Sequence, residues 1–281
     1  MNIVLQKFNL QGKTAFVTGG GTGMGYYMAR GLAGLGAEVI IASRRESVLK
    51  EAAERMSDEV GNKVHYLTID LLNRENVETQ AQQAIQKLNG VDIFVGNAGQ
   101  EVFEKIEDIR DESMDRLFQA NVFSNFALSR AFLPSMRKKQ WGRIIFSSSI
   151  AARLVSAQEG LSLYGSSKTA IFGLVRSIAM EAGHDGVTAN SLVLGTFLTD
   201  MIKGIVARSK TEEERLALID SLASNSAVGR FGRLEEVEGI VQLLASDGGA
   251  FITGAEIPVE GGWTIALKAN PVADDVLKQF S

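Results

Sequence analysis

The sequence predicts an α/β protein built on one doubly wound, parallel sheet of seven strands with helices on both faces. Three observations carry this. Short apolar, β-branched runs recur along the chain, stretches with helical spacing separate them, and runs such as Ile144-Ile145-Phe146 are apolar without alternation. Strands alternating with helices of ten or more residues imply βαβ units. Continuous apolar strands are those covered on both faces.

Strands are expected at Thr14–Thr18, Glu38–Ala42, Val64–Ile69, Asp92–Val95, Arg143–Ser147, Val187–Val193 and Glu256–Val259, with helices near 23–35, 46–57, 73–88, 111–136, 162–182 and 234–245. No linker, low-complexity tract or internal repeat divides the 281 residues, so a single domain over 1–281 is expected. The stretch 197–228 departs from the alternation. Leu198, Met201, Ile202 and Ile205 share one helical stripe, Leu216, Ile219 and Leu222 another, and Thr211 with Glu214 forms a capping-box signature. Placed after the sixth strand, it reads either as a substrate lid, because ligands of such sheets bind beyond the strands' carboxyl ends, or as a helical hairpin covering the core.

Composition narrows the function. Lys and Arg total 29 against 33 Asp and Glu, a net charge of −4, the wrong sign for a nucleic-acid binder. The absence of cysteine excludes disulfides and thiolate chemistry, and His65 and His184 have no HExxH-type spacing, so no metal site is expected. The amino-terminal apolar run is too short for a signal peptide and no run of about 18 apolar residues occurs, so a soluble cytoplasmic protein without a membrane partner is expected.

Thr18-Gly19-Gly20-Gly21-Thr22-Gly23-Met24-Gly25 follows the first strand and opens a helix. Glycines there let the backbone approach a diphosphate, and the helix start offers unpaired N–H groups and the positive dipole end. Gly19, Gly21, Thr22, Gly23 and Met24 are therefore candidate dinucleotide contacts. The spacing is TGxxxGxG, and the alternative is a glycine-rich structural turn. The second strand ends Ser43-Arg44-Arg45. An acid there would accept from a ribose 2′-hydroxyl, whereas Ser43 removes the repelling carboxylate and Arg44 and Arg45 suit a 2′-phosphate. This favours NADP, with NAD the alternative; the two arginines also fit as mere solvation of the next helix.

Tyr164-Gly-Ser-Ser-Lys168 lies in an expected helix, where residues four apart share a face. To act near neutrality a phenol of reference pKa about 10 needs roughly 4 kcal/mol. One positive charge at about 4 Å supplies about that much at an effective dielectric constant of 20. Lys168, with an oxidised nicotinamide, thus makes Tyr164 a proton donor and acceptor. Taken alone the YxxxK spacing is weak.

The combination is specific. The glycine turn, Asn97-Ala98-Gly99 after the fourth strand, Ser147-Ser148-Ser149 after the fifth and Tyr164/Lys168 stand in one order at strand ends. With these motifs the chain resembles the short-chain dehydrogenase/reductase family from about Gly12 to Gly262. The resemblance implies a Rossmann-like fold and a set of roles. Ser149 hydrogen-bonds the substrate oxygen, Tyr164 is general acid/base, Lys168 lowers its pKa and holds the nicotinamide ribose, and Asn121 holds a water of the proton relay. Asp70 and Leu71 lie beside the adenine and Asn97 near the adenosine ribose, with Ala98 and Gly99 as further cofactor contacts. Thr199 lies near the nicotinamide amide and diphosphate, and Gly195 and Phe197 are further cofactor contacts.

Two departures stand out: Leu194-Gly195 replaces the family's Pro-Gly, and the interval from Ser149 to Tyr164 is about two residues longer, the excess falling within 153–163 as expected substrate wall. Arg153, Lys203 and Arg208 are candidates for recognising an acidic substrate, with exposed surface charge as the alternative.

The implied function is hydride transfer between NADP(H) and a carbonyl or secondary alcohol. The alternatives are an NAD-dependent enzyme of the same family, a non-redox lyase on this fold, or a dinucleotide sensor. Phe123, Phe126, Leu128 and Phe132 on one long helix, and Ile171, Phe172, Val175 and Ile178 on another, are apolar beyond one stripe. The resemblance places these helices at a two-fold contact, so a homotetramer is expected. The apolar tail at 265–281 is expected to reach a neighbouring subunit, with a frayed terminus as the alternative.

Overall fold

The computed structural model describes residues 3–153, 159–223 and 226–265. All seven expected strands form: β1 (Thr14–Thr18), β2 (Glu38–Ser43), β3 (Val64–Thr68), β4 (Ile93–Gly96), β5 (Gly142–Ser149), β6 (Val187–Leu194) and β7 (Glu256–Val259). They pair in parallel in the order β3-β2-β1-β4-β5-β6-β7. The helices are α1 (Ile3–Gln6), α2 (Gly23–Gly34), α3 (Glu46–Val60), α4 (Arg74–Leu88), α5 (Asp111–Phe118), α6 (Ser124–Lys139), α7 (Ser162–Ala182), α8 (Asp200–Val206), α9 (Glu212–Ala223) and α10 (Glu238–Ala245).

The two-sided sheet explains the unalternating strands. Along β1, Ala15 and Val17 enter a core with Val39, Ile41, Leu32, Met56 and Val241, beneath α2, α3 and α10. Phe16 enters the opposite core with Ile40, Phe94, Phe146, Val77, Phe132 and Ile171, beneath α4, α6 and α7. In that second layer Phe132 packs 5.4 Å from both Phe16 and Phe94, ring centre to ring centre. Each such buried ring or branched chain contributes roughly 1.5–3 kcal/mol. β7 holds Pro258 and lies at the sheet's edge, where a missing N–H is tolerated.

One expected helix is interrupted. The chain over 111–136 forms α5, a π-helical turn over Gln119–Phe123, and then α6. Side chains compete for the helix carbonyls here: Ser124 Oγ donates to Ala120 O at 2.7 Å and Asn125 Nδ2 donates to Asn121 O at 2.9 Å. Such back-bonding and π-turns locally distort a helix. Residues 197–228 contain α8 and α9 with no strand between them, and the capping box forms, Glu214 N donating to Thr211 Oγ1 at 3.1 Å and Thr211 N to Glu214 Oε2 at 3.3 Å. The expected tail lies outside the described residues from 266 onward, as do residues 154–158 of the expected substrate wall.

The strand order reverses between β1 and β4. Ligands of such sheets bind in the crevice at the carboxyl ends on either side of that reversal.

Candidate active site

The turn after β1 is sterically committed to glycine. Gly19 has φ +70°, and a Cβ on Gly25 would lie 2.3 Å from Gly19 O. Thr22 precedes α2 in extended conformation and makes no side-chain cap, so the first N–H groups of the helix remain available to an anion.

Thr18 ties the end of β1 to the end of β4, and Asn97 carries the tie on to β5, a role no motif marks. Its Oγ1 accepts from Asn97 N and Ala98 N, each at 3.1 Å, and Asn97 Nδ2 donates to Thr18 O at 3.2 Å. Ser147 Oγ in turn donates to Asn97 Oδ1 at 3.1 Å.

A cavity of about 450 Å³ opens over these ends. It is lined by Gly19, Gly21, Thr22, Gly23, Met24, Ser43, Arg44, Arg45, Asp70, Leu71, Asn97, Ala98, Gly99 and Thr199, all expected, and by Ala42, Val48, Ile69, Leu72, Gln100 and Ala120, which no motif marks. The cavity fits a dinucleotide: a glycine cradle and helix start at one side, and at the end of β2 two exposed guanidiniums with no carboxylate partner among the described residues. Asp70 is fixed by Asn76, whose Oδ1 accepts from Asp70 N at 2.8 Å. Four expected contacts, Tyr164, Lys168, Gly195 and Phe197, are not among the lining residues. Gly195 N donates to Val259 O at 3.1 Å. Phe197 is buried in the core, its ring so close to Gly232 that a Cβ there would meet Phe197 Cδ1 at 2.6 Å. Its side chain does not line the cavity.

The polar residues gather behind Gly99, which lines the cavity. A Cβ on Gly99 would meet Asn121 Oδ1 at 3.0 Å and Lys168 Nζ at 3.1 Å, so only glycine leaves both in place. Asn121, on the π-turn, accepts from Gln100 N at 2.7 Å and donates Nδ2 to Gln100 O at 2.9 Å and to Ser167 Oγ at 3.0 Å. Lys168 Nζ donates to Ser147 O at 3.0 Å and lies 5.8 Å from the centre of the Tyr164 ring. The three serines diverge. Ser147 binds Asn97, Ser148 Oγ donates to Lys168 O at 2.9 Å, and Ser149, capping the short turn Ile150–Ala152, hydrogen-bonds Tyr164.

The electrostatics differ from the simple Tyr–Lys expectation. Burial pushes the Tyr164 phenol up to about 12, the negative charge of Glu101 adds to this, and the Ser149 hydrogen bond opposes it. Burial pulls Lys168 down to about 8, against the support of Glu101. Desolvation dominates because both groups are enclosed and the ammonium is spent on a backbone carbonyl. Glu101, two residues past Gly99, is itself raised by burial and lowered by Lys168. Sequence reasoning passed it over.

Arg153 is held by Glu256, donating to its carbonyl at 3.0 Å, and Arg176 pairs with the same carboxylate. Arg208 is exposed beyond α8. Among the described residues no cluster of three or more His, Cys, Asp or Glu is placed to hold a metal, and no helix is long and apolar enough to cross a membrane.

A parallel sheet whose strand order reverses beside a glycine cradle, with a Ser–Tyr–Lys–Asn constellation next to it, defines a dinucleotide-dependent oxidoreductase. The family model for short chain dehydrogenases matches residues 13–210, and the chain belongs to that family, whose enzymes act on CH–OH and C=O groups. It is 32% identical over 260 residues to a D-beta-hydroxybutyrate dehydrogenase of Rhizobium meliloti, covering 90% of this chain and 98% of that protein. It is 34% identical over 254 residues to a 3-oxoacyl-(acyl-carrier-protein) reductase of Vibrio cholerae, again covering 90% and 98%. The solved structure of L-sorbose reductase from Gluconobacter frateurii, complexed with NADPH and L-sorbose, superposes with a TM-score of 0.87 at 28% identity, covering 93% of this chain and all of that one.

Proposed function

We propose that the chain interconverts a carbonyl and a secondary alcohol with NADP(H). One observation carries this reading: Gly99, in the lining of the cavity that presents Ser43, Arg44 and Arg45, abuts Asn121 and Lys168, and Lys168 stands beside the Tyr164 that Ser149 hydrogen-bonds. A nicotinamide dinucleotide bound there supplies the hydride chemistry. Gly19 through Met24 hold its diphosphate at the start of α2, and Arg44 and Arg45 hold a 2′-phosphate. Ser149 orients the substrate oxygen, Tyr164 exchanges its proton, and Lys168 and Asn121 maintain the loop and charge around the phenol. The names of the relatives support carbonyl–alcohol chemistry, and the NADPH complex of the sorbose reductase supports the cofactor. Spectrophotometric assay of reduced-dinucleotide oxidation with NADPH and NADH over a panel of ketones tests the reading.

Residues 197–228 serve in this reading as a lid, since α8 begins directly after the cavity residue Thr199. The active form is a homotetramer. Phe123 and Phe126 support this, being 43% and 49% exposed where the π-turn runs into α6. Leu128, Phe132, Ile171, Phe172, Val175 and Ile178 are buried within the chain itself and are spent on its own core.

A further inference from the structure

The loop after β4 carries a carboxylate into the neighbourhood of the proton-transfer residues. Gln100 is held by Asn121 through both of its backbone groups. Four residues on, Glu104 N donates to Gly160 O at 3.0 Å, just ahead of the helix that bears Tyr164. Glu101 lies on this bridge, pinned at both ends, and its charge acts on both Tyr164 and Lys168.

Glu101 differs from the carboxylates around it. Glu104 pairs with Arg110 and accepts from Ser113, Glu159 pairs with Lys105, and Glu256 pairs with Arg153 and Arg176. Among the described residues the partly buried Glu101 side chain makes no hydrogen bond or ion pair. A carboxylate drawn partly out of water beside a reacting centre is costly, and here the through-space charge of Lys168 offsets it without a direct ion pair. It also imposes a sign: like charge is repelled and opposite charge attracted where solvent screening is weak. Arg153, on the β5–α7 loop, is engaged by Glu256.

We infer that Glu101 determines substrate specificity, fitting the site to carbonyl or alcohol substrates with a positive charge near the reacting carbon and rejecting those with a carboxylate. The inference rests on the proposed oxidoreductase reading and names its substrate class.

The test is a charge series of one shape: a dimethylated oxopiperidinium ion, its neutral isostere dimethylcyclohexanone, and oxocyclohexanecarboxylate, each assayed with NADPH. In the wild type, kcat/KM is expected to fall from cation to neutral to anion, by about tenfold or more per step. In Glu101→Gln the cation-to-neutral ratio is expected to collapse towards one, and in Glu101→Arg the order is expected to reverse. Equal turnover of cation and isostere by the wild type, or an anion preference, overturns the inference and leaves the oxidoreductase reading standing. An unchanged ratio in Glu101→Gln also overturns it. Failure of all three ketones overturns it as well, and the broader reading falls only if the wider ketone panel is silent too. The wild-type series can overturn the inference even if the variants do not fold.

Discussion

Asn121 closes a two-point hydrogen bond on the backbone of Gln100, accepting from its N–H at 2.7 Å and donating to its carbonyl at 2.9 Å. The tie locks the loop after β4 to the π-turn between α5 and α6, and so sets where Gly99 and Glu101 stand relative to Lys168. Asn121→Ala leaves a backbone donor and acceptor without partners. A stability loss of about 1–3 kcal/mol is expected, together with lower turnover. Urea denaturation paired with steady-state kinetics checks both, and wild-type values for each would show that the tie has no such role.

The phenol's titration should move in opposite directions in two variants. Tyr164 is raised first by burial and then by Glu101, and lowered by Ser149. Reduction needs the protonated phenol, so its rate falls as pH rises through that pKa. Ser149→Ala removes the lowering hydrogen bond and is expected to move the alkaline limb to higher pH while reducing turnover. Glu101→Gln removes the raising charge and is expected to move the limb to lower pH. Shifts of the same sign in pH–rate profiles would contradict the assignment.

Lys168 makes a further signed expectation for the cofactor-free protein. Its pKa falls from 10.5 to about 8 on burial, so between those values the unfolded chain binds more protons and stability rises with pH. The destabilisation is full below about 8 and relieved by about 10.5, a change of about 3 kcal/mol by linkage. Urea midpoints of the wild type should therefore gain on those of Lys168→Met as pH rises through this window. A constant difference would refute the buried-ammonium picture.

Cofactor choice turns on the end of β2. Arg44→Asp should weaken NADPH by about tenfold or more, the scale of a lost charge-assisted hydrogen bond, and spare or improve NADH. Titration with each dinucleotide measures this, and a wild type that already prefers NADH would contradict the role of Arg44.

The sheet was legible because two-sided burial leaves an unmistakable trace, runs such as Ile144-Ile145-Phe146 whose alternate residues enter opposite cores. The cavity lining was legible where it uses glycine, asparagine and charge at strand ends. Ala42, Val48 and Ile69 line it too, yet read only as strand or helix core. The π-turn was hidden because apolar periodicity runs on through 111–136, while the break comes from the Ser124 and Asn125 side chains bonding back to carbonyls. Phe197 follows Gly195 by two residues, and the packing of its ring against Gly232 is a tertiary contact that no motif encodes. The Tyr164–Lys168 spacing was plain, whereas the direction of both pKa shifts depended on burial and on Glu101, which belongs to no motif.

Proton transfer by Tyr164 is tested most directly by Tyr164→Phe, assayed for turnover of a competent ketone alongside dinucleotide binding. Turnover is expected to fall by about 10²–10⁴-fold, the range for a lost general acid–base group, with dinucleotide affinity nearly unchanged. A variant that binds the dinucleotide and keeps near wild-type kcat would contradict the mechanism.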